Sequence, residues 1–257
     1  MNIFSKQQNK MQEVENPDFA RRPPAVICDV ELPNIPEPFP NKSFHMAFVG
    51  RPGFGKTSLA INLIAEKTSG HRCYYRKFDE VYVMMPKGSL ASLKDNPFES
   101  LPADNIYNDF TLENLYDLEM KLEENAQEDP PKLSLLFIDD LAADLKTGGE
   151  LERVFKRLAY NRRHLRLSII NCVQRLTTIP KSVRATFSHV CFFKCTKNEN
   201  LIMYDELIDM DKQTYAELCN YCFREKHDTI FVDLNNLTFY RNFNRLENVA
   251  DPLQTVV

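Results

Sequence analysis

Residues 44–64 read FHMAFVGRPGFGKTSLAINLI, an apolar run that breaks into a glycine-rich turn and then resumes at helical spacing. Phe44, Met46, Ala47, Phe48 and Val49 are residue types of a buried strand, and Leu59, Ala60, Leu63 and Ile64 recur with the period of a helix. The chain holds only 7 glycines in 257 residues, and Gly50, Gly53 and Gly55 stand together in this turn. Such a concentration needs a local cause. Gly50-x-x-x-x-Gly55-Lys56-Thr57 has the spacing of a phosphate-binding loop, in the strand-to-helix context that such a loop requires. There, successive backbone N–H groups turn inward around a polyphosphate, because a Cβ would obstruct either the turn or the ligand's approach. On this reading Gly50, Arg51, Pro52, Gly53, Phe54, Gly55, Lys56, Thr57 and Ser58 cradle a nucleoside triphosphate. Lys56 reaches its β- and γ-phosphates, and the Thr57 hydroxyl ligates Mg²⁺.

A chain of 257 residues is long enough for one large α/β domain with a substantial core. Its formal net charge of -4 excludes a surface coated in positive charge. Contact with nucleic acid would then come from a local patch or from a ring of several subunits. The N-terminal stretch MNIFSKQQNKMQEVENPDF lacks a signal-peptide apolar core, and no apolar run approaches the ~18 residues that span a bilayer. A soluble, intracellular chain is expected. The 7 cysteines, an odd number without a secretion signal, fit reduced thiols. Cys219-x-x-Cys222 has metal-like spacing, yet Tyr215, Leu218, Cys219 and Cys222 fall on one helix face and read as buried apolar residues.

Residues 1–40 contain RRPPAV and ELPNIPEPFP, a proline-dense arm that can form neither a long helix nor a central strand. An extended course packed on a neighbouring subunit is expected for it. Strands are then expected at 44–49, EVYVMM, LSLLFID, LSIINCV and HVCFFK. They alternate with helices near 56–67, across TLENLYDLEMKLEENAQED, near 150–163 and near 211–225. Such alternation builds a mostly parallel sheet with helices on both faces. TIFVDLNNLTFYRNF reads as two strands joined at Asn235–Asn236, a C-terminal β-hairpin. The expected organisation is an arm over 1–40, a P-loop ATPase domain over 41–245 and a tail over 246–257.

KLSLLFIDDLAADL supplies an apolar strand that ends in Asp139 and Asp140. In phosphate-loop enzymes the first acid at such a strand end holds Mg²⁺, and a second beside it can orient and deprotonate the attacking water. This favours hydrolysis. NRRHLRLSIINCVQRL finishes a buried strand at Gln174, an amide able to touch the γ-phosphate or the attacking water and report hydrolysis. Alone, either strand end is an ordinary polar terminus; downstream of a complete phosphate loop, both gain a functional reading.

GRPGFGKT, LLFIDD and NRRHLRLSIINCVQ, with SVRATFSHVCFFK and FVDLNNLTFYRNF further on, resemble the FtsK/HerA superfamily of P-loop ATPases over residues 40–245. Within it the chain is most similar to the viral genome-packaging ATPases of poxviruses, other large DNA viruses and virophages. The resemblance implies a RecA-like ASCE core of strand order 5-1-4-3-2, ATP and Mg²⁺ as cofactors, and a homo-oligomeric ring, hexamer or pentamer. It further implies ATP-driven movement of double-stranded DNA into a preformed capsid, with capsid or portal proteins as partners. The location would be the host-cell cytoplasm, in the virus factory, and the virion. The implied catalytic set is Lys56, Asp140 and Gln174, with Thr57 and Asp139 at the metal and Arg162 or Arg163 entering the adjacent subunit's site. One departure stands out: bacterial members usually carry Asp-Glu where this chain has Asp139-Asp140.

Arg153, Lys156, Arg157, Arg162, Arg163 and Arg166 give the region of the helix near 150–163 a positive charge suited to DNA, which Glu150 and Glu152 partly offset. Readings from other classes are a helicase or helicase loader with a related core, and a nucleotide-gated scaffold in which hydrolysis is incidental.

Overall fold

The computed structural model describes residues 30–65, 73–94, 96–140, 145–208 and 210–249. Most of the proline-dense arm, the end of the helix expected near 56–67 and the tail beyond 249 lie outside the described residues. The strands are β1 (His45–Val49), β2 (Glu80–Met84), β3 (Ile106–Tyr107), β4 (Ser134–Asp139), β5 (Leu167–Val173), β6 (His189–Phe193), β7 (Thr229–Asp233), β8 (Thr238–Arg241) and β9 (Asn244–Arg245). The helices are α1 (Lys56–Ala65), α2 (Lys87–Ala91), α3 (Leu112–Gln127), α4 (Glu150–Asn161), α5 (Lys181–Arg184), α6 (Lys197–Leu207) and α7 (Lys212–Cys222).

Among the described residues, nine strands join one sheet in the order β3-β2-β4-β5-β1-β6-β7-β8-β9. The pairs from β3 through β6 are parallel, and those from β6 through β9 are antiparallel. Numbering the longer parallel strands β1, β2, β4, β5 and β6 as one to five gives the order 5-1-4-3-2, that of a RecA-like core. The register places Val49 of β1 beside Val173 of β5, and Asp139 of β4 beside Cys172. The ends of β1, β4 and β5 therefore meet along one edge of the sheet.

Strands buried on both faces carry near-continuous apolar runs, as LSLLFI and LSIINCV do here. Met46, Phe48, Phe137 and Cys172 pack with Ala60, Ile61 and Leu63 of α1. Ala47, Val49, Ile138 and Val173 share the other face with α3, α4 and α7. On that side α3 starts where Thr111 Oγ1 accepts the Asn114 N–H at 3.3 Å, a cap that satisfies an otherwise orphaned donor. Its Leu115, Leu118 and Leu122 are fully buried, which leaves the acidic face to solvent. Tyr215, Leu218 and Cys222 of α7 are buried together, as their spacing predicts.

The described end of the proline-dense segment lies against its own chain's sheet. Leu32 is buried and donates its N–H to the Asn41 carbonyl at 2.6 Å. The Phe39 ring meets those of Phe231 at 5.7 Å and Phe243 at 4.8 Å. The C-terminal hairpin gains a further strand, since β9 pairs with β8. Five short or polar elements, β3, β9, α2, α5 and α6, have no counterpart in the expected pattern.

Candidate nucleotide and metal site

β1 delivers the chain to the phosphate loop at Gly50, whose N–H donates to the Val173 carbonyl of β5 at 3.2 Å. A Cβ on Gly50 would stand 2.8 Å from Phe193 Cβ, closer than real carbon contacts come. Packing against β6 therefore demands this glycine, whereas Gly53 at φ +74° and Gly55 at φ +94° answer to backbone conformation. α1 opens directly from the loop, with the Leu59 N–H on the Gly55 carbonyl at 2.8 Å. Lys56 is buried, and its Nζ folds back over the loop to donate to the Arg51 carbonyl at 3.3 Å. Arg51, Pro52, Gly53 and Ser58 are exposed.

The Thr57 hydroxyl lies 3.1 Å from each carboxylate oxygen of Asp139. Asp139 is buried, and burial, reinforced by the Asp140 charge beside it, pushes its carboxyl up to about 6 against the opposing pull of Thr57 and Lys56. A buried acid beside an exposed one suits a cation. Asp140 leaves β4 at φ +55° with its N–H on the Cys172 carbonyl at 3.2 Å. Left-handed backbone costs an ordinary L-residue about 1–2 kcal/mol, and Asp and Asn tolerate it better than longer side chains. That makes Asp a better fit than a longer acid at this position. Gln174, the first residue after β5, donates Nε2 to both Asp140 carboxylate oxygens at 3.3 Å.

Gly50–Ser58, Asp139, Asp140 and Gln174 thus stand at one end of the sheet. Arg162 and Arg163 do not join them. They precede β5 and line a cavity of about 620 Å³ with Lys42, Phe44 and His189, at the starting end of β1 and β6. The 7 residues of β5 separate the two ends by roughly 23 Å. Of the basic residues on α4, Arg157 is engaged by α3, its Nε donating to Glu119 at 2.8 Å. Glu152 is buried and accepts from the Gly148 N–H and Ser182 hydroxyl.

Several residues that shape the site carry no local signal in the sequence. Glu199 of α6 is buried and holds the chain just after Gln174, accepting from the Leu176 N–H at 2.9 Å and the Thr177 hydroxyl at 3.2 Å. Arg184 forks onto Glu206 at 2.9 Å through Nε and one terminal nitrogen, and its other nitrogen reaches the Leu176 and Ile179 carbonyls. His227 and Asp228, in the turn before β7, reach the phosphate loop and brace that reach. Among the described residues no helix is long and apolar enough to cross a membrane.

Solved structures share this fold at low identity. B204, the DNA-packaging ATPase from Sulfolobus Turreted Icosahedral Virus, superposes with a TM-score of 0.57 at 13% identity, over 77% of this chain and 96% of that one. The genome packaging NTPase B204 from Sulfolobus turreted icosahedral virus 2, in complex with ATP-gammaS, gives 0.51 at 14%, with 77% and 96% covered. ATPases 2 and 3 of Thermomonospora curvata EccC, in complex with a signal sequence peptide, give 0.53 at 14%, over 82% of this chain and 39% of that one. At such identities the likeness establishes the common fold alone, an α/β sheet with a RecA-like core. Comparison with individually curated proteins gives no match. The profile of the family described as Poxvirus A32 protein matches residues 37–232, a span that includes the phosphate loop, Asp139, Asp140 and Gln174, and the chain belongs to that family.

Proposed function

We propose that this protein is an ATP-hydrolysing motor that moves double-stranded viral DNA into a preformed capsid. It works as a homo-oligomeric ring, hexamer or pentamer, on capsid or portal proteins, in the virus factory of the host-cell cytoplasm and in the virion. Residues 41–245 form its ATPase domain, between an N-terminal arm over 1–40 and a tail over 246–257.

The observation that carries the reading is the convergence of the phosphate loop, Asp139, Asp140 and the Gln174 amide at one sheet end. The loop's N–H groups and Lys56 take the β- and γ-phosphates. The buried Asp139 carboxylate beside the Thr57 hydroxyl, with Asp140 exposed next to them, fits Mg²⁺, a hard cation that prefers oxygen ligands. Thr57 and Asp139 would hold it, and it supplies neutralisation of the phosphate oxygens as charge moves during transfer. Asp140 accepts the proton of the attacking water, and Gln174 orients that water or the acid itself. A carboxylate pinned by an amide beside the γ-phosphate position favours hydrolysis over a passive nucleotide-gated scaffold. Membership of the poxvirus A32 family, and the fold shared with viral genome-packaging enzymes that bind ATP analogues, favour packaging over strand separation.

Hydrolysis by the purified chain, with and without blunt duplex DNA and empty capsids, tests this. Turnover that rises with both is expected; ATP binding without turnover, or unwinding of forked DNA, overturns the motor reading.

A further inference from the structure

We infer that the turn Arg224–Asp228, between α7 and β7, is a clamp on the phosphate loop, with His227 its positioning residue. This rests on the nucleotide-binding reading above. His227 Nδ1 lies 3.0 Å from the Phe54 carbonyl oxygen, across 173 positions of chain. A carbonyl only accepts, so Nδ1 carries the proton and donates. The same nitrogen would be 3.5 Å from a Cβ on Gly55, which sets the imidazole against the loop's last glycine. Lys226 adds a second grip, with Nζ 5.6 Å from the centroid of the Phe54 ring.

The turn is stiff. Asp228 is buried, and its carboxylate accepts from the N–H groups of Arg224 at 2.9 Å and Glu225 at 2.8 Å, the Asn242 amide at 2.7 Å and the Arg241 guanidinium at 3.1 Å. Those donors, the Asn242 amide foremost, hold the Asp228 carboxyl far below the usual carboxylate range. Asn242 in turn accepts the Thr229 N–H at 2.8 Å, and Arg241 Nε donates to the Cys222 carbonyl at 3.1 Å. The end of α7 and the β7–β8 hairpin thus fix the position from which His227 reaches the loop.

A phosphate loop aims its N–H groups at the ligand, which leaves a carbonyl such as that of Phe54 for a partner from elsewhere in the chain. One that carries two positive-φ glycines loses more conformational entropy when it closes on a ligand than a stiffer segment would. An anchor on the Phe54 carbonyl removes part of that loss before the nucleotide arrives. Because His227 grips a backbone carbonyl of the loop and not the phosphates, it favours bound substrate and transition state alike. Its removal should therefore raise KM and leave kcat unchanged.

The test uses the full chain, a fluorescent ATP analogue and steady-state hydrolysis. His227 is exposed, so H227A should fold normally. It should bind the analogue about three- to tenfold more weakly, the factor one neutral hydrogen bond carries, and raise KM equally with kcat within about twofold. H227N, which keeps a donor near the Nδ1 position, should recover most of the affinity. D228N, which weakens the turn from behind, should resemble H227A. Parental affinity in H227A, a loss confined to kcat, or an H227N as weak as H227A overturns the clamp while leaving the nucleotide site intact. A parent chain that binds no nucleotide removes both.

Discussion

Gln174 holds Asp140 across the β4–β5 pair, its Nε2 standing 3.3 Å from both carboxylate oxygens. An amide shared this way fixes the acid in the absence of nucleotide. A γ-phosphate or attacking water that competes for the amide changes the acid's partners. On the proposed mechanism the same residues would act in hydrolysis and pass its progress to the chain after Gln174, which Glu199 and Arg184 tie down.

Asp140→Asn tests the proposed base. Asn tolerates the left-handed backbone that Asp140 occupies at φ +55°, so the variant loses proton acceptance without new strain. ATP binding should persist while kcat falls by about 10²–10⁴. Lys56→Ala should lose hydrolysis through weakened hold on the β- and γ-phosphates. Phosphate release measured beside analogue binding separates the two, and parental turnover by Asp140→Asn would move the base to another residue.

Gly50→Ala probes the join between loop and sheet. The new Cβ would lie 2.8 Å from Phe193 Cβ, so β1 and β6 must part. Overpacking of this kind costs about 1–3 kcal/mol, which for a domain of this size lowers Tm by roughly 2–4 °C per kcal/mol. Thermal melts followed by far-UV circular dichroism should show the drop. A variant that melts with the parent would mean that the strands adjust freely.

The parallel core and the family were legible because their signals are local. Phe44–Val49, the glycines and Leu59–Ile64 write strand, turn and helix within one window, and LLFIDD and IINCVQ each announce a buried strand with a polar end. What escaped was set by partners distant in sequence or by elements without an apolar stripe. α6, KNENLIMYDEL, buries only Met203 and the acid Glu199, so no periodicity marks it. α2 has no buried residue, and β3 spans 2 residues beside β2. The His227–Phe54 hydrogen bond joins positions 173 apart, and the Arg184–Glu206 pair joins a four-residue helix to a polar one. The left-handed turn at Asp140 depends on the register of β4 against β5, which residue order does not display.

DNA affinity should fall with salt, because binding through phosphates releases condensed cations. The residues concerned are narrower than composition suggests. Arg157 and Arg153 are both exposed on α4, and Arg157 is already paired with Glu119 at 2.8 Å. Arg153→Ala should weaken duplex binding and lower the slope of log affinity against log salt by about 0.9 for each DNA phosphate that is no longer neutralised. Arg157→Ala should do less. Salt-independent binding, or none by the assembled oligomer, would count against a DNA motor.

The position of Arg162 and Arg163 makes their role in hydrolysis a question about neighbours. Both precede β5, and its 7 residues hold them roughly 23 Å from the end where Gln174 and the phosphate loop meet. No side chain spans that distance, so neither can serve its own subunit's γ-phosphate. Phosphoryl transfer spreads negative charge over the γ-oxygens, and a guanidinium supplied by an adjacent subunit raises the rate by about 10³–10⁵. The Arg162→Ala/Arg163→Ala double variant should therefore bind ATP normally and hydrolyse it poorly. Lys56→Ala should be inactive for the opposite reason. In mixed rings some interfaces pair an intact phosphate site with an intact arginine from the next subunit, so partial activity should return. Native mass spectrometry would establish that mixed oligomers form. If they form and activity stays absent, or if the double variant alone hydrolyses at the parental rate, Arg162 and Arg163 are not trans-acting. Their place at the starting ends of β1 and β6 would then point to binding of DNA or of another protein.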